Sequence, residues 1–350
     1  MKQFATFFRR MRVTAIKGWQ AAVIAALSVS PVASAEEIDV TVTNHGDGAR
    51  LAGTLSTPAT TPKCAILLAT GSGPQNRDEE IMGLRPFKVL SDSLTEAGYA
   101  VLRMDDRGTA ESGGDFKTAT ATDFIGDLRA GLSFLDSCYR SIPKGIIGHS
   151  EGGQLAIRIA AERSEGCNPD FIITLAAPAW RGDSLIMSQS RALSTAMTGA
   201  WPGEAMQRDI LAIARGPLPY SVASPMVFSI IAKELGGAAQ LPEVQRQLSG
   251  QVDAVLSPYY REMLRYDPGS DIAAVSVPWL ALNGDKDLQV VNANLSTIST
   301  LNPGASTTTV AGHNHLFQKA TTGLPQEYPT LGQSPSPETI SLILEWLKTL

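Results

Sequence analysis

Short apolar runs separated by helical patterns constrain this chain more than any other feature. Ala65–Ala69 is apolar throughout, and Phe171–Ala176 is apolar but for Thr174. A run that short, apolar on both sides of the backbone, is a strand covered on both faces. Tyr99–Arg103 and Gly145–Gly148 are further strands. Helical patterns alternate with them: Pro86–Ala97, closed by Gly98; Thr122–Leu135, with Phe124, Leu128, Leu132 and Leu135 on one side; and Gln154–Glu162. Strand–helix–strand alternation implies crossover connections, hence an α/β class with a mostly parallel sheet flanked by helices.

The rhythm is broken once. From Trp180 to about Tyr266 the chain shows helical patterns with Gly/Pro breaks and no clear strand. It resumes with a strand at Val277–Leu282, a helix at Asn292–Leu301, a last strand at Ser306–Val310 and a final helix at Pro337–Leu350. A helical insertion, residues 180–266, is therefore expected between a first core part, 36–179, and a second, 267–350. Met187, Met197, Trp201, Met206, Met226, Phe228, Tyr259 and Tyr260 recur in it. Helical core packing explains most of them; the sharper reading is a lid whose inner face covers a substrate. Ahead of the first buried run, Ile38–Thr43 and Leu51–Leu55 alternate around His45-Gly46-Asp47-Gly48, which predicts an antiparallel hairpin.

Residues 1–35 follow other rules. Lys2, Arg9, Arg10, Arg12 and Lys17 precede an apolar stretch, Ala21–Val29, and Ala33-Ser34-Ala35 stands before Glu36. A basic start, a short apolar centre and an A-x-A site describe a secretory signal cut after Ala35. The apolar stretch is short for a membrane span, so no stable membrane anchor is expected after the cut. Arg9-Arg10 leaves a twin-arginine route open, although its flanks fit poorly. The mature protein is then expected in the periplasm or outside the cell. A net charge of −5 over 350 residues, with no basic stripe, argues against nucleic acid and for a soluble protein acting on a small molecule. Of three cysteines, Cys138 and Cys167 precede successive strands, which places them at one end of the sheet and suggests a disulfide. Three buried thiols are the alternative.

The chemistry centres on Gly148-His149-Ser150-Glu151-Gly152. Alone, G-x-S-x-G is a weak signal. Here an apolar strand leads in and a helix pattern leads out, so Ser150 stands on a tight strand-to-helix turn whose neighbours must be small. An N-cap serine at an ordinary glycine turn is the plain alternative. A serine hydroxyl needs a base. Of four histidines, His45 lies in the hairpin turn and His149 cannot readily turn back onto the adjacent hydroxyl. His315 is the candidate base, with His313 in reserve, just after the last strand. A metal half-site is the other reading of H-x-H, but no further ligand cluster completes it, so no metal and no cofactor are expected. The orienting carboxylate belongs in Asn283-Gly284-Asp285-Lys286-Asp287, where either aspartate is eligible. Two backbone N–H donors should hold an oxyanion: that of Glu151, and one from Thr70-Gly71-Ser72-Gly73-Pro74, for which Ser72 is the choice.

Taken together the motifs resemble bacterial secreted α/β-hydrolases, the serine esterases related to the serine aminopeptidase-like and dienelactone hydrolase-like branches. The matching segments are Gly71–Asp78, Asp105–Gly108 with Ser112, Gly148–Gly153, Ser257–Tyr260 with Asp267-Pro268, Gly284–Val290 and Asn314–Phe317. The resemblance implies an α/β-hydrolase fold with a helical lid, Asp287 as the acid, His315 as the base and a small-molecule ester as substrate. A peptidase or thioesterase on the same residues is the alternative. It also implies that Asp106-Arg107-Gly108 is an ion-paired structural turn. Two departures stand out: Thr70 where the family often has histidine, and Ala110 where its D-R-G-x-G-x-S has glycine.

Overall fold

The computed structural model describes residues 35–162 and 167–350. The expected leader, but for Ala35, lies outside the described residues. The sheet has eight strands in the order β1-β2-β4-β3-β5-β6-β7-β8. β1 (Glu36–Thr43) and β2 (Arg50–Thr57) form the hairpin, and β2 runs antiparallel to β4 (Ala100–Met104). All later pairings, through β3 (Ala65–Ala69), β5 (Lys144–His149), β6 (Phe171–Leu175), β7 (Trp279–Gly284) and β8 (Ser306–Val310), are parallel. The hairpin turn is tied to the body by Asn44, whose Nδ2 donates to Asp127 at 2.9 Å.

Each face of the sheet carries its own apolar cluster. One face packs against α2 (Ala121–Cys138), α3 (Glu151–Glu162), α9 (Gly269–Ala274) and α10 (Ala293–Leu301), through residues such as Leu128, Leu132, Ile157, Ile272 and Ile298. The other packs against α1 (Pro86–Glu96) and α11 (Pro337–Leu347), through Phe87, Leu90, Leu94, Ile340 and Ile343. Trp279 is buried with its indole N–H donating to Thr174 Oγ1 at 2.9 Å, so the ring enters the core without an unmet donor. Caps fix the helix starts: the Asp123 carboxylate accepts from Thr120 N–H at 2.8 Å, and Ser336 Oγ accepts from Thr339 N–H at 3.2 Å.

Between β6 and β7 lie α4 (Gly182–Thr198), α5 (Glu204–Arg215), α6 (Tyr220–Leu235), α7 (Pro242–Val255) and α8 (Pro258–Arg265). They enclose a third cluster of Leu211, Ala214, Val227, Val252 and Leu264, with Met187, Met206, Phe228 and Tyr260 packed against it. Met197 and Met226 are exposed instead. At the base of the segment Gly182 N–H donates to Tyr266 O at 3.1 Å.

Three sequence expectations shift. β7 starts at Trp279, not Val277, because Pro278 has no N–H to donate; its carbonyl still accepts from Ile172 N–H at 3.0 Å. α3 starts at Glu151, not Gln154, because Gly152 and Gly153 belong to its first turn. The expected Cys138–Cys167 disulfide is absent: all three cysteines are free. Cys138 ends α2 facing solvent beside Ser137 Oγ, whereas Cys167 turns inward and its thiol donates to Leu132 O at 3.5 Å. The two thiols thus point to different environments.

Candidate active site

Ser150 joins β5 to α3 with φ +50°, a left-handed conformation that costs a non-glycine residue about 1 kcal/mol or more. Two glycines make the turn possible. A Cβ on Gly148 would stand 2.3 Å from Gly152 O, and one on Gly152 would stand 2.1 Å from Ala69 O. Ser150 N–H donates across to Leu175 O at 2.8 Å, anchoring the turn to β6. The hydroxyl thus sits at the carboxyl edge of the parallel strands, over the N-terminus of α3. Among the described residues, neither Glu151 N–H nor Ser72 N–H has a hydrogen-bond acceptor. The neighbouring Gly71 N–H is occupied, donating to Glu79 Oε1 at 2.7 Å.

The loops after β7 and β8 reach the same edge. Asp287 and His315 are buried, and His315 Nδ1 meets Asp287 Oδ2 at 2.7 Å. Asp287 Oδ1 accepts from Gln289 N–H at 2.8 Å and from Val290 N–H at 2.9 Å. These bonds place the proton on Nδ1 and leave His315 Nε2 free to act as a base. The second members of each motif do other work. Asp285 Oδ1 accepts from Gly312 N–H at 2.6 Å and braces the β8 loop. His313 spans Ala311 O and Ser336 Oγ, each at 2.8 Å. Ser150 Oγ makes no hydrogen bond to His315 among the described residues; such bonds commonly form only when substrate is bound.

His149 points away from Ser150 Oγ. Its Nδ1 lies 2.8 Å from Glu79 Oε1 and its Nε2 lies 3.0 Å from His315 O, with the two histidine rings 4.7 Å apart. Glu79 was not a sequence candidate; it adjoins the Gly71–Asp78 segment, but nothing in its spacing marks it.

A narrow cleft runs beside the elbow. Leu51, Leu68, Met104, Phe124 and Leu155 line it together with the polar Asp106, Arg107, Asp127, Glu151 and Tyr259. Burial pushes the Asp106 carboxyl up to about 7, against hydrogen bonds from Thr70 Oγ1 at 2.7 Å and Gln75 N–H at 2.9 Å. Burial also raises Glu151, partly offset by the hydroxyl of Tyr259, which donates to Glu151 Oε1. Tyr259 stands edge-on to Phe124, centroids 6.0 Å apart, and it is the one aromatic of α8 that lines the cleft. Arg107 is structural, as the resemblance implies: it pairs with Asp127 at 2.7 Å and Asp47 at 2.8 Å. Among the described residues no group of three or more metal-ligating side chains occurs.

The family described as serine aminopeptidase, S33, matches residues 85–215. Esterase EstD of Thermotoga maritima is 24% identical over 258 residues, 73% of this chain and 53% of that protein. The chain thus spans about half the length of this curated relative. In structure it is similar to the esterase Pf2001 of Pyrococcus furiosus, with 20% identity, TM-score 0.53, and 90% and 93% of the two chains covered. A thermophilic esterase from Thermogutta terrifontis gives 19% identity, TM-score 0.51, and coverage of 90% and 98%. The fold is therefore that of the α/β-hydrolases, while the family match is confined to residues 85–215.

Proposed function

We propose that this protein is a serine hydrolase that cleaves carboxylic esters through Ser150, His315 and Asp287. The observation that carries the reading is the Asp287–His315 hydrogen bond at 2.7 Å, on the strand edge where Ser150 is held at φ +50°. Ser150 Oγ attacks the ester carbonyl and its proton passes to His315 Nε2. Asp287 holds the resulting imidazolium. The tetrahedral oxyanion accepts from the free N–H groups of Ser72 and Glu151. Its collapse expels the alcohol, which takes the proton from His315. Water then attacks the acyl-enzyme, gives its proton to His315, and the acid leaves as Ser150 regains its hydrogen. The apolar side chains lining the cleft suit the substrate's hydrocarbon part, and the α4–α8 segment is the lid over it, with Tyr259 as its contact. Residues 1–35 are a leader removed on export to the periplasm or beyond.

The test is Ser150→Ala assayed on a short p-nitrophenyl ester. Turnover should fall by about 10⁴-fold or more, with an unchanged circular dichroism spectrum. Activity retained in that variant refutes the mechanism.

One observation favours a peptidase as second reading. The carboxyl groups of Asp106 and Glu151 line the cleft next to the nucleophile's helix, and a carboxyl there suits the amine of a peptide substrate. Faster turnover of aminoacyl-arylamides than of matched esters would establish that reading over the first.

A further inference from the structure

Three loops build the site, and one buried pair of side chains touches all of them. Glu79 Oε1 accepts from Gly71 N–H in the loop after β3. It faces His149 Nδ1 at the end of β5, and His149 Nε2 faces the carbonyl of His315 in the loop after β8. Both side chains are buried, and Glu79 is held at φ +52°. The segment carrying Glu79 is pinned beside it: Asp78 pairs with Arg103 and Arg85, and Glu79 N–H donates to Asn76 O at 2.8 Å.

The proton inventory follows from donor and acceptor rules. A carbonyl oxygen only accepts, so His149 Nε2 carries a hydrogen. A bare ring nitrogen against a carboxylate would repel, so a second proton lies between Nδ1 and Oε1. Two protons on the pair therefore satisfy three loop contacts at once. Burial works against charge on His149, but the charge and hydrogen bond of Glu79 outweigh it and raise its pKa overall. The ionisable groups facing the ring are Glu79, Asp287 and His315. Phe87, Leu175, Leu316 and Phe317 supply an apolar surround.

We propose that Glu79 and His149 are positioning residues for acyl transfer, a proton-sharing strut that sets the oxyanion loop against the loop of the base. Gly71 is the atom of purchase, and the adjacent Ser72 N–H is what it aims. This role rests on the reading of Ser150 as nucleophile.

Glu79→Gln tests it, because a glutamine of the same shape cannot serve all three loops. If its oxygen accepts from both Gly71 N–H and Nδ1–H, the neutral ring has no hydrogen left for His315 O. If the ring keeps Nε2–H, the amide nitrogen must face Nδ1 and compete for the place of the oxygen at Gly71. Only a protonated ring restores all three bonds, so the defect must narrow towards acid pH. At pH 8, kcat should fall about 30-fold with KM within about 3-fold, part of what losing an oxyanion donor costs. Without the charge of Glu79 burial holds the ring below its ordinary range, so the deficit should shrink only as pH is lowered into the acid range. A kcat within about 3-fold of wild type at pH 8, a loss confined to KM, or a deficit equal at all pH values overturns the proposal. Should the variant not fold, proton NMR of the wild type decides. A second downfield imidazole N–H signal, besides that of Asp287–His315, should be present at pH 8, and its absence overturns the proposal. Failure of the underlying reading is separate: it shows as wild-type activity that survives Ser150→Ala.

Discussion

Asp287→Asn isolates the role of the carboxylate with little change in shape. In the wild type Asp287 Oδ1 is held by Gln289 N–H and Val290 N–H at 2.8 and 2.9 Å. Two donors at one position fix the orientation of an asparagine there: its oxygen must face them, and its NH₂ must face His315 Nδ1. That ring nitrogen then has to accept, and the proton moves to Nε2, the atom that should take the hydrogen from Ser150. The fold keeps its bonds while the base is held in the wrong tautomer. Such a swap in a serine–histidine–aspartate site costs about 10⁴-fold in kcat, or about 5 kcal/mol at the barrier. Asp285→Asn is the internal comparison. Its oxygen keeps the bond to Gly312 N–H, so activity should stay within about 3-fold, in the range of ordinary surface changes. The assay is hydrolysis of a p-nitrophenyl ester at pH 8, with thermal melts for both variants. Turnover of Asp287→Asn within about 10-fold of wild type, with the melt unchanged, would refute the assignment; so would a larger loss in Asp285→Asn.

Two further outcomes are expected. Asp106 stays protonated in the folded protein up to about pH 7, whereas an unfolded aspartate ionises near 3.8, so the unfolded state binds fewer protons between those values and stability falls as pH rises through them. At about 1.4 kcal/mol per pH unit the penalty reaches about 4 kcal/mol by pH 7 and stays there above it. Asp106→Asn, whose amide can donate to Thr70 Oγ1 and accept from Gln75 N–H, should raise Tm by several degrees at pH 8 and by nearly none at pH 4; an equal change at both refutes the burial argument. Protein recovered from the exporting cell should have the mass of a chain starting at Glu36, and recovery with residues 1–35 intact refutes the leader.

The buried strand Ala65–Ala69 was legible because its composition answers only to its position in the sheet; the polar edge strand Ser306–Val310 also matches residue for residue. Ser150 was legible because a tight turn demands small neighbours in sequence, and Gly148 and Gly152 are local. Elimination among four histidines left His313 and His315, and the family resemblance singled out His315. The choice between Asp285 and Asp287 was not legible, since it depends on which way a turn directs two carboxylates, one to Gly312 and one to His315. The Glu79–His149 contact joins residues 70 positions apart, and no local periodicity encodes it. The disulfide misread had the same origin: position along the chain locates Cys138 and Cys167 near one edge but says nothing of where their thiols point.

The α4–α8 segment encloses an apolar cluster apart from the two that flank the sheet, and Gly182 N–H to Tyr266 O closes it at the root. That makes it a cassette. Sequence drift inside it is buffered by its own packing, while the elbow and the histidine loop answer to the sheet. On the proposed reading of this segment as a lid, a lineage can remodel what enters the cleft without renegotiating the chemistry. Grafting this segment onto a related scaffold, joined at the same two stems, tests whether selectivity travels with it.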